Sequence, residues 1–279
     1  MSLALTFAVI AALLLGGSDF FAARSALTTP SLTVTRTAVA TSVTLSPIAL
    51  MIVHSKWTMR DTLIGAISGV AMITGLILLY HGYKVARMGI VAPVTSVLLA
   101  AVPVLWDLIN GVRPGAASAV GMALGVVALV LTSYTQGGEG SATLGLVLGL
   151  ASGVSFGVAF TLMGEVNEGA GIAPVVVQRS VGLVILLIVW LVRRDPVIAT
   201  GKGLRFGVLA GALGLVAICN LQLAFQRGDS GPVAVASSQF AAVAVVLAVV
   251  FNKERMRWWQ ALGVVLTAVA VAFIAVGSS

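Results

Sequence analysis

Ten times along its 279 residues the chain runs apolar for about 20 positions before a charge or a cluster of Gly, Pro and Ser interrupts it. A helix rising 1.5 Å per residue needs that length to cross a hydrocarbon core ~30 Å thick. The spans read as 3–23, 31–53, 62–82, 89–109, 117–134, 143–164, 173–192, 206–226, 232–251 and 259–277. No soluble domain fits between them, and a mean hydropathy of +1.11 with only 9% charged residues agrees with a polytopic membrane protein. The expected fold class is therefore all-α, with ten transmembrane helices. The first span is too long, and lacks the basic start and the cleavage site, to be a signal peptide. Trp57, Trp106, Trp190, Trp258 and Trp259 all fall near the span boundaries, where amphipathic rings meet the headgroups.

The second constraint is internal. Shifted by 142, residues 63–134 match 205–276 at 17 positions without a gap, where a composition rich in Ala, Val, Leu and Gly gives about seven by chance. Gly65 falls on Gly207, Gly69 on Gly211, Asn110 on Asn252 and Arg113 on Arg255. Before that block the register drifts by one and puts Arg36 on Arg179. The chain thus divides into two five-span repeats, 1–138 and 139–279. Five is odd, so the second copy enters from the opposite side and the repeat is inverted. Such repeats place a substrate site near the midplane at their interface and work by alternating access.

The residues that remain unusual are the polar ones inside spans. Asp19, in LLLGGSDFFAARSAL, costs at least ~2.5 kcal/mol if ionised at the hydrocarbon centre. Arg36 lies at a similar depth in the next span. Two readings stay open: a substrate or proton site in a cavity, or a structural Asp19–Arg36 ion pair between adjacent helices, which we take as the expectation to test. Arg179 has no acidic residue at its depth in span six, so it either snorkels to the headgroups or binds carbonyls or an anionic substrate group. Asn220 and Gln222 in span eight, and Ser238 and Gln239 in span nine, coincide by repeat position with Leu78, Tyr80, Ser96 and Val97. Each could merely join helices. Their symmetric placement favours a shared cavity wall, so Tyr80, Ser96, Asn220, Gln222, Ser238 and Gln239 join Asp19, Arg36 and Arg179 as candidate substrate-binding residues.

Other chemistries lack their parts. The charge of +7 comes from Lys and Arg scattered in short loops, which gives no surface for nucleic acid. The one cysteine, Cys219, can form no intrachain disulfide, and neither metal-ligand spacing nor a catalytic set is present, so no enzyme activity, metal or cofactor is expected. The loops at the face where span one ends carry ten basic residues (Arg24, Lys84, Arg87, Arg193, Arg194, Lys202, Arg205, Lys253, Arg255, Arg257), against four (Lys56, Arg60, Arg113, Arg227) at the other. We call these the basic face and, because both chain ends lie there, the terminal face. The basic-residue count predicts a cytoplasmic basic face.

The 5+5 plan, Gly17-Ser18-Asp19-Phe20 in span one, the Arg early in spans two and seven, the small residues opening spans four and nine, and NKERMRWWQALGVVL at Asn252–Leu266 resemble the EamA-type branch of the drug/metabolite transporter superfamily. The likeness covers essentially the whole chain. It implies a secondary carrier, with no cofactor, that moves a small polar or amphipathic metabolite (amino acid-like or drug-like), for example by efflux, across a bacterial-type inner membrane. Its partners would be that substrate, the lipid bilayer and a coupling species such as the proton. The family usually keeps both termini in the cytoplasm, which conflicts with the loop charges. Val112 stands where the second half has Glu254 before Arg255. In the small multidrug relatives the coupling carboxylate precedes a Lys by eight residues, whereas Asp19 precedes Arg24 by five, so that role does not carry over. A lipid-linked carrier or flippase and a non-transporting structural subunit are the alternatives, distinguished by a lateral opening to lipid and by the lack of any ligand.

Overall fold

A computed structural model describes residues 3–85, 88–133, 141–252 and 257–277. The described chain is helical: α1 Leu3–Ala26, α2 Ser31–Ile52, α3 Met59–Val85, α4 Met88–Ile109, α5 Ala116–Ser133, α6 Ala142–Gly164, α7 Ala173–Arg193, α8 Gly201–Phe225, α9 Ser230–Ser238, α10 Phe240–Asn252 and α11 Trp258–Gly277. Seven segments, one of them Ser230–Phe251 across α9 and α10, are long and apolar enough to cross a membrane. Shorter apolar stretches, Val94–Ile109, Ala116–Leu131 and Trp258–Ile274, lie in the other three expected spans. The protein is an all-α polytopic membrane protein.

Local chemistry sets the helix ends. Ser141 accepts a hydrogen bond from the Leu144 amide and caps α6, and Pro174 in the first turn of α7 supplies a pre-set φ where no N–H is needed. Thr58 Oγ1 accepts from the Asp61 amide while donating to Asp61 Oδ2, which closes the first turn of α3. In α2 the hydroxyls of Thr35, Thr37, Thr41, Ser42, Thr44 and Ser46 each donate to the carbonyl four residues back, so a helix rich in hydroxyls leaves none of these donors unsatisfied in an apolar setting.

One expected span is broken. Span nine consists of α9 and α10, which meet at Gln239. Just before the break Ser237 and Ser238 turn their hydroxyls to the carbonyls of Ala234 and Val235, and the Gln239 side chain bonds to Val235 O, Gly125 O and Thr267 Oγ1. Side chains thus compete with the backbone for the carbonyls that would continue the helix.

Packing runs through small residues. α1 lies along α8, α3 along α6 and α7, α4 along α6, and α5 along α11. At the α3–α7 crossing a Cβ on Gly65 would stand 2.6 Å from Pro174 O, and one on Gly69 2.7 Å from Gln178 O. Gly153 and Gly157 of α6 give the same close approach to α4. Backbones therefore touch backbones, as small-xxx-small spacing allows.

The core is not evenly distributed along the bundle axis. Apart from Leu129, the buried members of the larger cluster lie in the half next to the terminal face: Leu5, Ala8 and Ala11 early in α1, Phe156 to Met163 late in α6, Ile218 to Phe225 late in α8, and Val233 to Ala236 of α9. A smaller cluster of Val39, Ile73 and Leu186 lies nearer the basic face.

Candidate functional site

The uneven core determines what Asp19 faces. Residues 7 and 11 positions apart on a helix lie within about 20° of one another, so Asp19 shares a face of α1 with Ala12 and Ala8. Those two are 5% and 0% exposed, which makes the face internal to the bundle. The opposite side of α1 carries Leu13, Ile10 and Leu3, all exposed, and is the lipid-facing side. Beyond Ala12 the internal face opens: Asp19, Ala23 and Ala26 are all exposed. The internal face of α1 is thus sealed next to the terminal face and open toward the basic face, with Asp19 in the opening. Phe20 beside it is buried and packs on Phe251 of α10 at 5.7 Å between ring centroids, which fixes this turn of α1. No hydrogen bond or ion pair joins the Asp19 carboxylate to any described residue.

The expected Asp19–Arg36 ion pair is not present. Arg36 is 1% exposed and turns to the segment that follows α7. Its Nε donates to Val197 O at 2.7 Å, Nη2 to Pro196 O at 2.7 Å and Nη1 to Leu186 O at 3.3 Å, and Asp195 Oδ1 stands 3.8 Å from Nη2. Thr33 and Thr37 bind the same segment, by Thr33 Oγ1 to Pro196 O and Ala199 N to Thr37 Oγ1. The reason is topological: α1 and α2 touch little, while α2 packs on α7 and α8. Equal depth on consecutive helices did not mean contact. Arg36 serves as a tie between α2 and the α7–α8 connection.

The other candidates divide. Ser96 is half-buried on α4, one turn nearer the basic face than the fully buried Ala100. Arg179 is partly exposed; its Nε is buried with no hydrogen-bond partner, and Cys219 of α8 lies within its electrostatic reach. Among the described residues no carbonyl accepts a hydrogen bond from Arg179 Nε. Gln222 is buried and donates from Nε2 to Met163 O at 3.2 Å. Ser238 and Gln239 are buried and spent on the helix break described above. Asn220 lies one turn from the exposed Val216 and donates to its carbonyl at 2.7 Å, so it sits on the outward stripe of α8, away from the opening. The side chain of Tyr80 lies outside the described residues. The wall inferred from repeat positions is thus not one surface.

The sealed end has fastenings that the sequence reading passed over. Asp61, 1% exposed, accepts from Asn167 N and from Asn167 Nδ2 by both oxygens. Gln226 Nε2 donates to Gly171 O and Asn167 O, Ser55 Oγ accepts from Ile172 N, and the Lys56 amide donates to Gly169 O. The α2–α3 connection, the α6–α7 connection and the end of α8 are thereby clasped at the terminal face. Next to them Asp107 Oδ2 accepts from Gly231 N at 2.6 Å in the first turn of α9, and Trp106 Nε1 donates to Glu165. A Thr or Ser placed three residues before an Asp, as at Thr58 and Asp61, is the one sequence signal that pointed here.

Among the described residues no group of His, Cys, Asp and Glu is arranged to hold a metal. The arrangement has parts that suit binding: a free carboxylate in an internal opening, a bundle closed at one end and hydrogen-bonded fastenings there.

The overall shape is shared with known folds. A solved crystal structure superposes with a TM-score of 0.77 over 98% of this chain and 97% of its own, at 16% sequence identity. No curated protein matches the chain. Residues 143–276, from the start of α6 to the end of α11, match the EamA-like transporter family of the drug/metabolite transporter superfamily.

Proposed function

We propose that this membrane transporter moves a small polar or amphipathic metabolite across the plasma membrane by alternating access, with Asp19 receiving a cationic or proton-donating group of its cargo. The observation that carries the reading is the face of α1 that is sealed at Ala8 and Ala12 and open at Asp19, Ala23 and Ala26. A bundle fastened at one end and open at the other is one of the two end states a carrier of this kind visits. An unpartnered carboxylate inside it is costly unless cargo, a proton or cavity water meets it.

The division into repeats 1–138 and 139–279 belongs to the same proposal. Support comes from the helix partners, which map onto one another when the repeats are exchanged: α1 on α8 becomes α6 on α3, and α2 on α8 becomes α7 on α3. The fastenings follow the same exchange, with α2 gripping the α7–α8 connection near the basic face and the start of α7 gripping the α2–α3 connection at the terminal face.

The test is one-sided labelling in a Cys219→Ser background. Cysteines at Ala23 and Ala26 should react with an impermeant maleimide added from the basic face, and cysteines at Ala8 and Ala12 should not. A transported substrate should lower labelling at 23 and 26 and open 8 or 12 to reagent from the terminal face. Unchanged labelling under conditions of measured transport would reject alternating access by this route.

A further inference from the structure

Among α3, α6, α7 and α8 lies a cavity with room for about one water molecule, walled by Met72, Phe160, Ile218 and Phe225 and by two amides, Gln178 and Gln222. Both glutamines are buried, and the Oε1 of each has no hydrogen-bond partner. The Nε2 ends of the two amides are spoken for. Gln178 Nε2 donates to Ser68 Oγ at 2.7 Å, and Gln222 Nε2 donates to Met163 O at 3.2 Å. These partners also fix which way each amide points. Met163 O can only accept, so turning the Gln222 amide would set oxygen against oxygen. Ser68 already donates to Ala159 O at 3.0 Å, so it has no proton left for a turned Gln178.

We propose that Gln178 and Gln222 form a two-acceptor site for one small hydrogen-bond donor, a water molecule, which bridges α7 and α8. Two oxygens that can only accept call for a guest with two donors. The apolar remainder of the wall and the size of the cavity exclude a larger one. A metal cation is disfavoured because the wall offers no carboxylate and the cationic Arg179 follows Gln178 directly. The bridge falls where it matters: α7 and α8 touch little directly, whereas Gln178 ties α7 to α3 through Ser68 and Gln222 ties α8 to α6. A removable water would join these two linkages across the sealed half of the bundle.

A map of the wild-type protein at about 2 Å or better is the direct test. It should hold a peak about 2.5–3.0 Å from both Oε1 atoms. Well-ordered glutamines around an empty cavity would overturn the proposal. In solution, Gln178→Met and Gln222→Met should each lower the Tm in detergent, and the double variant should lose less than the sum of the two. Losses that add would count against a shared guest, since the two side chains make no hydrogen bond to one another. Replacing potassium chloride by ammonium chloride at equal ionic strength should leave the Tm unchanged. Selective stabilisation by ammonium would assign the site to a cation and overturn water.

Discussion

Replacing Arg36 should destabilise the protein severely, and replacing Asp19 should scarcely affect its stability. Arg36 donates two bonds at 2.7 Å to the carbonyls of Pro196 and Val197 from a 1%-exposed guanidinium. Hydrogen bonds from charged groups are worth about 1.5–3 kcal/mol each, and the bond to Leu186 O and the 3.8 Å approach of Asp195 add less. Arg36→Leu also leaves Val197 O without its donor, while leucine recovers some apolar contact. The expected loss is about 3–5 kcal/mol, the range found when one partner of a buried charged contact is removed. Arg36→Lys keeps the charge but cannot fork, so it should lose about half as much. Asp19→Asn breaks no bond and should stay within about 0.5 kcal/mol of the parent, as substitutions away from stabilising contacts do. Thermal and denaturant unfolding in one detergent would measure all three and the Asp19→Asn/Arg36→Leu double variant. Independent sites add to within about 0.5 kcal/mol. A coupling above about 1 kcal/mol would mean that the two charges face each other after all, and would refute this account of both.

Three further outcomes follow from the contacts. Asp19→Asn should abolish uptake or release of a cationic substrate in proteoliposomes and Asp19→Glu should retain part of it; full activity in the asparagine variant would remove the carboxylate from binding. Asp61→Ala forfeits the hydrogen bonds to Thr58 and Asn167 at the terminal face, so it should raise maleimide labelling of a cysteine at Ala12 from that side, with no change at Ala23. Gly65→Val drives a side chain into the Pro174 carbonyl and should cost about 1–3 kcal/mol by separating α3 from α7, whereas Gly111→Ala at an open turn should cost less, set only by its φ of +83°.

The sequence announced the helices because apolar length is a local property, and ten runs of about 20 residues leave little choice. It did not announce the break at Gln239, because Ser-Ser-Gln inside an apolar run reads equally as a binding group or as a helix joiner until the carbonyl partners are visible. Arg36 was misassigned for a related reason. Depth can be counted along the chain, but its partners lie some 160 residues away, and nothing local distinguishes a nearby helix from one in contact. Gln178 escaped notice beside the charge of Arg179, although a lone amide 5 residues into an apolar helix raises the same question of where its polar atoms go.

The backbone-to-backbone crossings at Gly65, Gly69, Gly153 and Gly157 bear on how this architecture can change over evolutionary time. Where two helices meet through glycine and carbonyl, the joint asks of the sequence only that a few positions stay small. The lipid-facing residues need only be apolar. Most positions can therefore drift without moving a helix, and substitutions that keep those few positions small need not be compensated elsewhere. A TM-score of 0.77 at 16% identity is what such a loosely specified joint permits. Cargo preference could then diverge at a handful of internal positions while the frame around them persists.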